Sequence, residues 1–224
     1  ATPALGILAA CAGLPLAAWM IWCKLSFGDF TGSVLKIQFL RWTHKPFVEW
    51  FQHPVFSPSG FWYFLKGNLA TFWQGEILWQ RKPLAFPSVD LIYVGLTLAF
   101  LLFGLAVLLK RPGLFTSTQH AAMWFGFTCL AAAFAFFALL SVKFDFQDCF
   151  YPSRAHPFFT SGRLMLGILI PFLLLFTAGL DLILKKFGRA AKFTLLAALL
   201  VFMLASEISI DWRIFPNEYN WFHL

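Results

Sequence analysis

The sequence predicts an all-α, polytopic integral membrane bundle of about five transmembrane helices, with interfacial helices in a long outer loop. Composition is the first of three observations. The chain is 60% hydrophobic and only 12% charged, with a mean hydropathy of +0.74. A soluble domain of 224 residues has no interior large enough for that much apolar surface, so its solvent must be lipid. The second is five apolar segments, each near the ~20 residues that a bilayer core requires. The third is the basic character of two short loops between them.

The five expected spans are Ala4–Leu25, Val89–Leu109, Ala121–Val142, Leu164–Leu184 and Phe193–Ile210. The chain starts Ala-Thr-Pro-Ala, with neither an initiator Met nor a basic n-region. It therefore reads as one membrane domain, the C-terminal piece of a longer polytopic protein. Pro15 and Pro171 fall inside spans, where lipid-embedded helices tolerate them as kinks. Lys110 and Arg111 separate the second and third spans; Lys185, Lys186, Arg189 and Lys192 separate the fourth and fifth. Against these six cations stands a single acid, Asp181, whereas the rest of the chain carries eleven basic and nine acidic residues. By the positive-inside rule both short loops are cytoplasmic. The 26–88 loop, the 143–163 loop and the C-terminus are then extracytoplasmic, as expected in a bacterial inner membrane. The formal charge of +7 follows from topology, and no nucleic-acid partner is expected.

The first outer loop is too aromatic for a linker. Val34–Gln52 mixes apolar residues with Lys36, Arg41, Lys45 and Glu49, the pattern of one or two short interfacial helices broken near Pro46. Ser57-Pro58 is a helix start, an N-cap followed by proline at N1, opening a helix to about Trp73. Trp42, Trp50, Trp62, Trp73 and Trp79 fit either an aromatic belt or a sugar-stacking platform. Ser88 is placed to cap the second span, and Thr116-Ser-Thr-Gln119 reads as a capping box opening the third. Asp181 and Lys185 are spaced i, i+4 as a structural pair.

The four cysteines show no metal-binding spacing and the five histidines no i, i+4 pair, so neither metal nor cofactor is expected. Cys23 and Cys149 are the two that topology would allow to pair.

Polar chemistry gathers in Phe144–Arg163, which holds Asp145, Asp148, Tyr151, Arg154, His156, Ser161, Gly162 and Arg163. Ser161 or Thr160 is placed to cap the fourth span, with Gly162 and Arg163 in its first turn. A cation there has the wrong sign for the helix dipole. Free N–H groups, a close-approach glycine and an arginine together suit a phosphate or carboxylate. Arg154 and His156 add donors; Asp145 and Asp148 are their partners or a general base. The competing reading pairs Arg163 with Asp148 or with lipid phosphates. Glu207, about one turn from the outer end of the fifth span, is either a functional acid or one that reaches the headgroups.

Phe72-Trp-Gln-Gly-Glu76 followed by Pro83 and a span, then Ser161-Gly-Arg163 opening a span with Pro171, resembles the C-terminal half of uncharacterised bacterial polytopic proteins. These look like the glycosyltransferase C (GT-C) superfamily, multi-pass enzymes that use polyprenyl-phosphate sugars on the extracytoplasmic face. Glu218-Tyr-Asn-Trp-Phe-His-Leu224 resembles their C-terminus. The resemblance implies Arg163 and Arg154 as ligands of the lipid-linked phosphate, with Glu76 within its motif. Related proteins often carry an aromatic where this chain has Leu164. Their catalytic acid lies in a first outer loop that would precede this chain. The alternatives are a non-catalytic transporter or flippase-like protein, in which the same residues bind lipid headgroups, or a membrane scaffold whose outer loops bind a partner.

Overall fold

The computed structural model describes residues 2–75, 78–79, 82–83, 86–147 and 152–212. In chain order the elements are α1 (Thr2–Phe27), α2 (Val34–Phe39), β1 (Thr43–His44), α3 (Phe47–Trp50), α4 (Pro58–Gln74), β2 (Leu78–Trp79), β3 (Lys82–Pro83), α5 (Pro87–Lys110), α6 (Ser117–Lys143), β4 (Phe144–Asp145), α7 (Leu169–Leu184) and α8 (Arg189–Asp211). Three 3-10 segments join them, and the longest, Gly162–Ile168, runs straight into α7. The protein is an all-α polytopic membrane helical bundle. Among the described residues, α5, α6, Gly162–Leu184 and α8 are each long and apolar enough to cross a bilayer. The remaining expected span, Ala4–Leu25, falls in the 26-residue α1, whose described apolar stretch, Gly13–Phe27, is shorter than a span. Two compact units are present: Ala1–His53 with Ser141–Phe158, and Pro54–Leu140 with Phe159–Leu224.

In the first unit, the interfacial segment breaks where expected. α2 ends at Leu40, Arg41 takes a left-handed backbone (φ 57°), and Pro46 opens α3. Asp29 organises the entry to α2: its carboxylate accepts the Thr31 and Val34 N–H groups and the Thr31 hydroxyl. Those bonds, led by the hydroxyl, hold the Asp29 carboxyl down at about 2. β1 pairs antiparallel with β4, Thr43 opposite Asp145 and His44 opposite Phe144. Trp42 packs edge-on against Phe146, centroids 4.9 Å apart, and Phe144 and Phe146 are buried. His53 is buried as well, only 4% exposed, and lies edge-on to Phe158. Its Nε2 is 2.9 Å from the Pro157 carbonyl; a carbonyl can only accept, so Nε2 carries the proton. Burial pushes the imidazole down to about 4, with the Lys45 charge adding to the shift against the Pro157 hydrogen bond. Cys23 is a buried free thiol, and Cys149 lies outside the described residues.

In the second unit, local sequence sets the helix starts. Ser57 accepts the Gly60 N–H at 3.1 Å, with Pro58 at N1, and α4 runs one residue past the expected Trp73. Removing that cap by Ser57→Ala is expected to cost about 1 kcal/mol, measurable as a lower thermal midpoint. α5 differs from expectation. Its N-cap position is Phe86, and Ser88 sits inside the helix, because Pro87 presets a helical φ and loses no hydrogen bond at N1. The capping box of α6 is formed: Thr116 N–H donates to Gln119 Oε1 at 3.0 Å and Gln119 N–H to Thr116 Oγ1 at 3.3 Å. Pro171 falls close to where the span Gly162–Leu184 changes from 3-10 to α winding. It lies in the first turn of α7, where a missing N–H costs least, and the preceding residues wind as a 3-10 helix.

An all-apolar helix in lipid has no amphipathic face to read, so packing is set by shape. On α5 the buried positions Val94, Thr97, Leu101, Gly104 and Leu108 recur at helical spacing. They match Phe172, Leu175, Phe176, Gly179 and Leu182 on α7, and α5 packs chiefly against α7. α8 is held more lightly. Only Ser206 and Ile210 of its described side chains are buried, and the Tyr93 hydroxyl of α5 meets Ser206 Oγ at 2.6 Å.

Candidate functional site

The polar residues that open the fourth span are positioned by α4. Asn68, fully buried, donates from Nδ2 to the Phe159 carbonyl at 3.3 Å. One turn on, Thr71 Oγ1 lies 2.9 Å from the Thr160 carbonyl and accepts the Gly162 N–H at 2.8 Å. Gly162 rests directly on the backbone of Thr71 and Phe72; a Cβ there would come within 2.6 Å of Phe72 Cα. Only glycine permits that approach. The Phe159–Gly162 strip is therefore fastened along α4 by side-chain-to-backbone bonds.

Ser161 stands at the N-cap position, but its side chain caps nothing. Its Oγ instead accepts from Arg163 Nε at 3.2 Å. With the Gly162 N–H already given to Thr71, the expectation of a hydroxyl-capped start with free N–H groups is corrected. The anion-binding capacity at this point rests on Arg163, whose side chain is exposed and oriented through Ser161.

Arg154 belongs to the first unit and has a carboxylate partner there. It donates to Asp145 from Nε (3.3 Å) and Nη2 (3.0 Å), and Nη2 also reaches Gln147 Oε1 at 2.6 Å. The hydrogen bond from Arg154, with the Gln147 N–H, lowers the Asp145 pKa. A carboxylate so occupied is a poor proton acceptor near neutrality. His156 is exposed and closes a turn with Ser153, donating its N–H to Ser153 Oγ at 3.1 Å. Glu207 is exposed on α8. Glu76, Asp148 and Tyr151 lie outside the described residues.

The tryptophans divide. Trp73 is packed inside the second unit, stacked on Tyr93 at 5.3 Å and donating Nε1–H to Thr97 at 2.9 Å. Trp42 is half-buried in the first unit, and Trp50 donates to the Lys45 carbonyl. Trp62 keeps an exposed ring.

The polar stripe Asn68, Thr71 and Gln74 on α4 went unread in the sequence. Gln74 is 6% exposed, and among the described residues neither atom of its carboxamide has a hydrogen-bond partner. Its signal was legible: three polar residues at intervals of three in an aromatic-rich helix mark one face. Among the described residues, no group of three His, Cys, Asp or Glu side chains converges as for a metal. The chain matches no family model, no curated protein and no solved structure.

Proposed function

We propose that the chain is the membrane module of a glycosyltransferase that uses a polyprenyl-phosphate-linked sugar, with Arg163 meeting the lipid-linked phosphate. The observation that carries this reading is an exposed arginine at the entry to a span, on a strip fixed to α4 by Asn68 and Thr71. A guanidinium on a rigid support favours charge developing on a leaving phosphate, because no reorganisation is needed as the bond breaks. In this reading the Arg163 end of the bundle faces the extracytoplasmic side of a bacterial inner membrane, and the Lys110 and Lys185–Lys192 end faces the cytoplasm. The exposed Trp62 ring contributes to an acceptor surface, while Trp42 and Trp73 serve packing. No described carboxylate is assigned as the catalytic acid.

The test is binding of a short-chain polyprenyl phosphate to the reconstituted protein. Arg163→Ala is expected to weaken it roughly tenfold, the size of one charge-assisted hydrogen bond. Arg163→Lys should fall between, keeping charge without the planar fork. Unchanged binding by Arg163→Ala would overturn the assignment.

A further inference from the structure

At the opposite end of the second unit, residues of α6 and α7 line an open cavity of about 230 Å³. Leu174, Leu175 and Met123 form its apolar wall; Asp181, Lys185 and Gln119 line it with polar groups. Gly126, one turn on from Ala122 and Met123, packs against the lining residue Leu175. A Cβ there would meet Leu175 Cγ at 3.1 Å, so α6 and α7 are in close contact at that level.

The charges in this cavity do not neutralise each other. Among the described residues, Asp181 and Lys185 form no ion pair, contrary to their i, i+4 spacing on the same helix. Gln119 has its Oε1 engaged by the Thr116 N–H, which leaves the carboxamide NH2 for a ligand oxygen. The cavity thus presents an ammonium and an amide donor beside a carboxylate, next to an apolar wall.

We propose that this cavity is a phospholipid site for a phosphoethanolamine headgroup. The phosphate is held by Lys185 Nζ and the Gln119 amide, the ammonium by Asp181, and the proximal acyl chain lies along Leu174, Leu175 and Met123. Charge complementarity selects this occupant. Asp181 is the single acid beside six cations at this end of the bundle; a purely anionic headgroup would leave it unmatched and opposed. A carboxylate makes charge-assisted hydrogen bonds to a primary ammonium, which has N–H donors, and cannot make them to a quaternary one. The site therefore distinguishes ethanolamine from choline.

The experiment places the whole protein in bilayer discs of equal phosphatidylethanolamine, phosphatidylcholine and phosphatidylglycerol, then reads the retained lipids by native mass spectrometry. Wild type is expected to retain the ethanolamine lipid over the choline lipid by roughly fivefold, the size of one solvent-accessible charged contact. Asp181→Asn should erase that preference, Asp181→Glu should keep it, and Lys185→Gln should lower retention of both lipids. Circular dichroism and a monodisperse elution confirm that each variant is folded. Equal retention of ethanolamine and choline lipids by wild type overturns the site. So does preferred phosphatidylglycerol, or an ethanolamine preference that survives Asp181→Asn.

Discussion

Gly179→Ala is expected to lower the stability of the α5–α7 pair by about 3 kcal/mol, the upper end of what overpacking costs. The two helices cross where Gly179 lies against the backbone of Phe100. A methyl added at Gly179 would run into the Phe100 carbonyl and come within 3.0 Å of Phe100 Cα. Backbone atoms in a helix have no rotamer to yield, so the axes must separate and the contacts of Phe172, Phe176 and Leu182 loosen with them. Gly104 provides the matched comparison on the facing helix. A Cβ there meets Gly179 Cα at 3.6 Å and Met123 Cε at 3.8 Å, ordinary contact distances, so Gly104→Ala should cost under about 1 kcal/mol. Detergent-induced unfolding of the two variants, followed by circular dichroism, measures the difference. Equal losses would mean that the backbone contact at Gly179 does not set the crossing.

Acidification is expected to destabilise the first unit through His53. Its imidazole is buried and neutral, at about 4, whereas an unfolded histidine titrates near 6.5. Above 6.5 both states are neutral and His53 contributes no pH dependence. As the pH falls from 6.5 towards 4 the unfolded state binds the proton first, and stability drops throughout that window. Summed over it, the loss is about 3 kcal/mol. Below 4 both states are protonated and the loss levels off. His53→Gln keeps an N–H donor for the Pro157 carbonyl without titrating, so its thermal midpoint should stay flatter between pH 7 and 4.5. Tryptophan fluorescence melts of the two proteins provide the measurement. Parallel losses in both would remove His53 as the cause.

Features written in neighbouring residues were legible from sequence. The spans are long apolar runs, and the Ser57-Pro58 start and the Thr116–Gln119 box each place donor and acceptor within three residues. Features that join distant residues were not. The β1–β4 pairing matches Thr43 with Asp145, about a hundred positions away, and two-residue strands carry too little alternation to announce themselves. The fastening of Phe159–Gly162 to Asn68 and Thr71 is as remote, so Gly162 looked like a ligand contact when it is also a packing surface for α4. Trp73 looked like a membrane anchor because composition cannot tell a ring at the headgroups from one stacked on Tyr93. Arg163 was identified for its charge, but its support on Ser161 and α4 emerges only in three dimensions.

The choice of α7 over α6 as the main neighbour of α5 bears on how the protein is made. Gly104 and Gly179 are 75 positions apart. At ~5–20 residues per second of synthesis, α5 waits roughly 4–15 s before its partner is complete. During that interval the crossing surface around Gly104 must lie against lipid, the insertion machinery or a provisional neighbour. Synthesis therefore sets the earliest moment of assembly: the close helix crossing can form only after the intervening span α6 has been made.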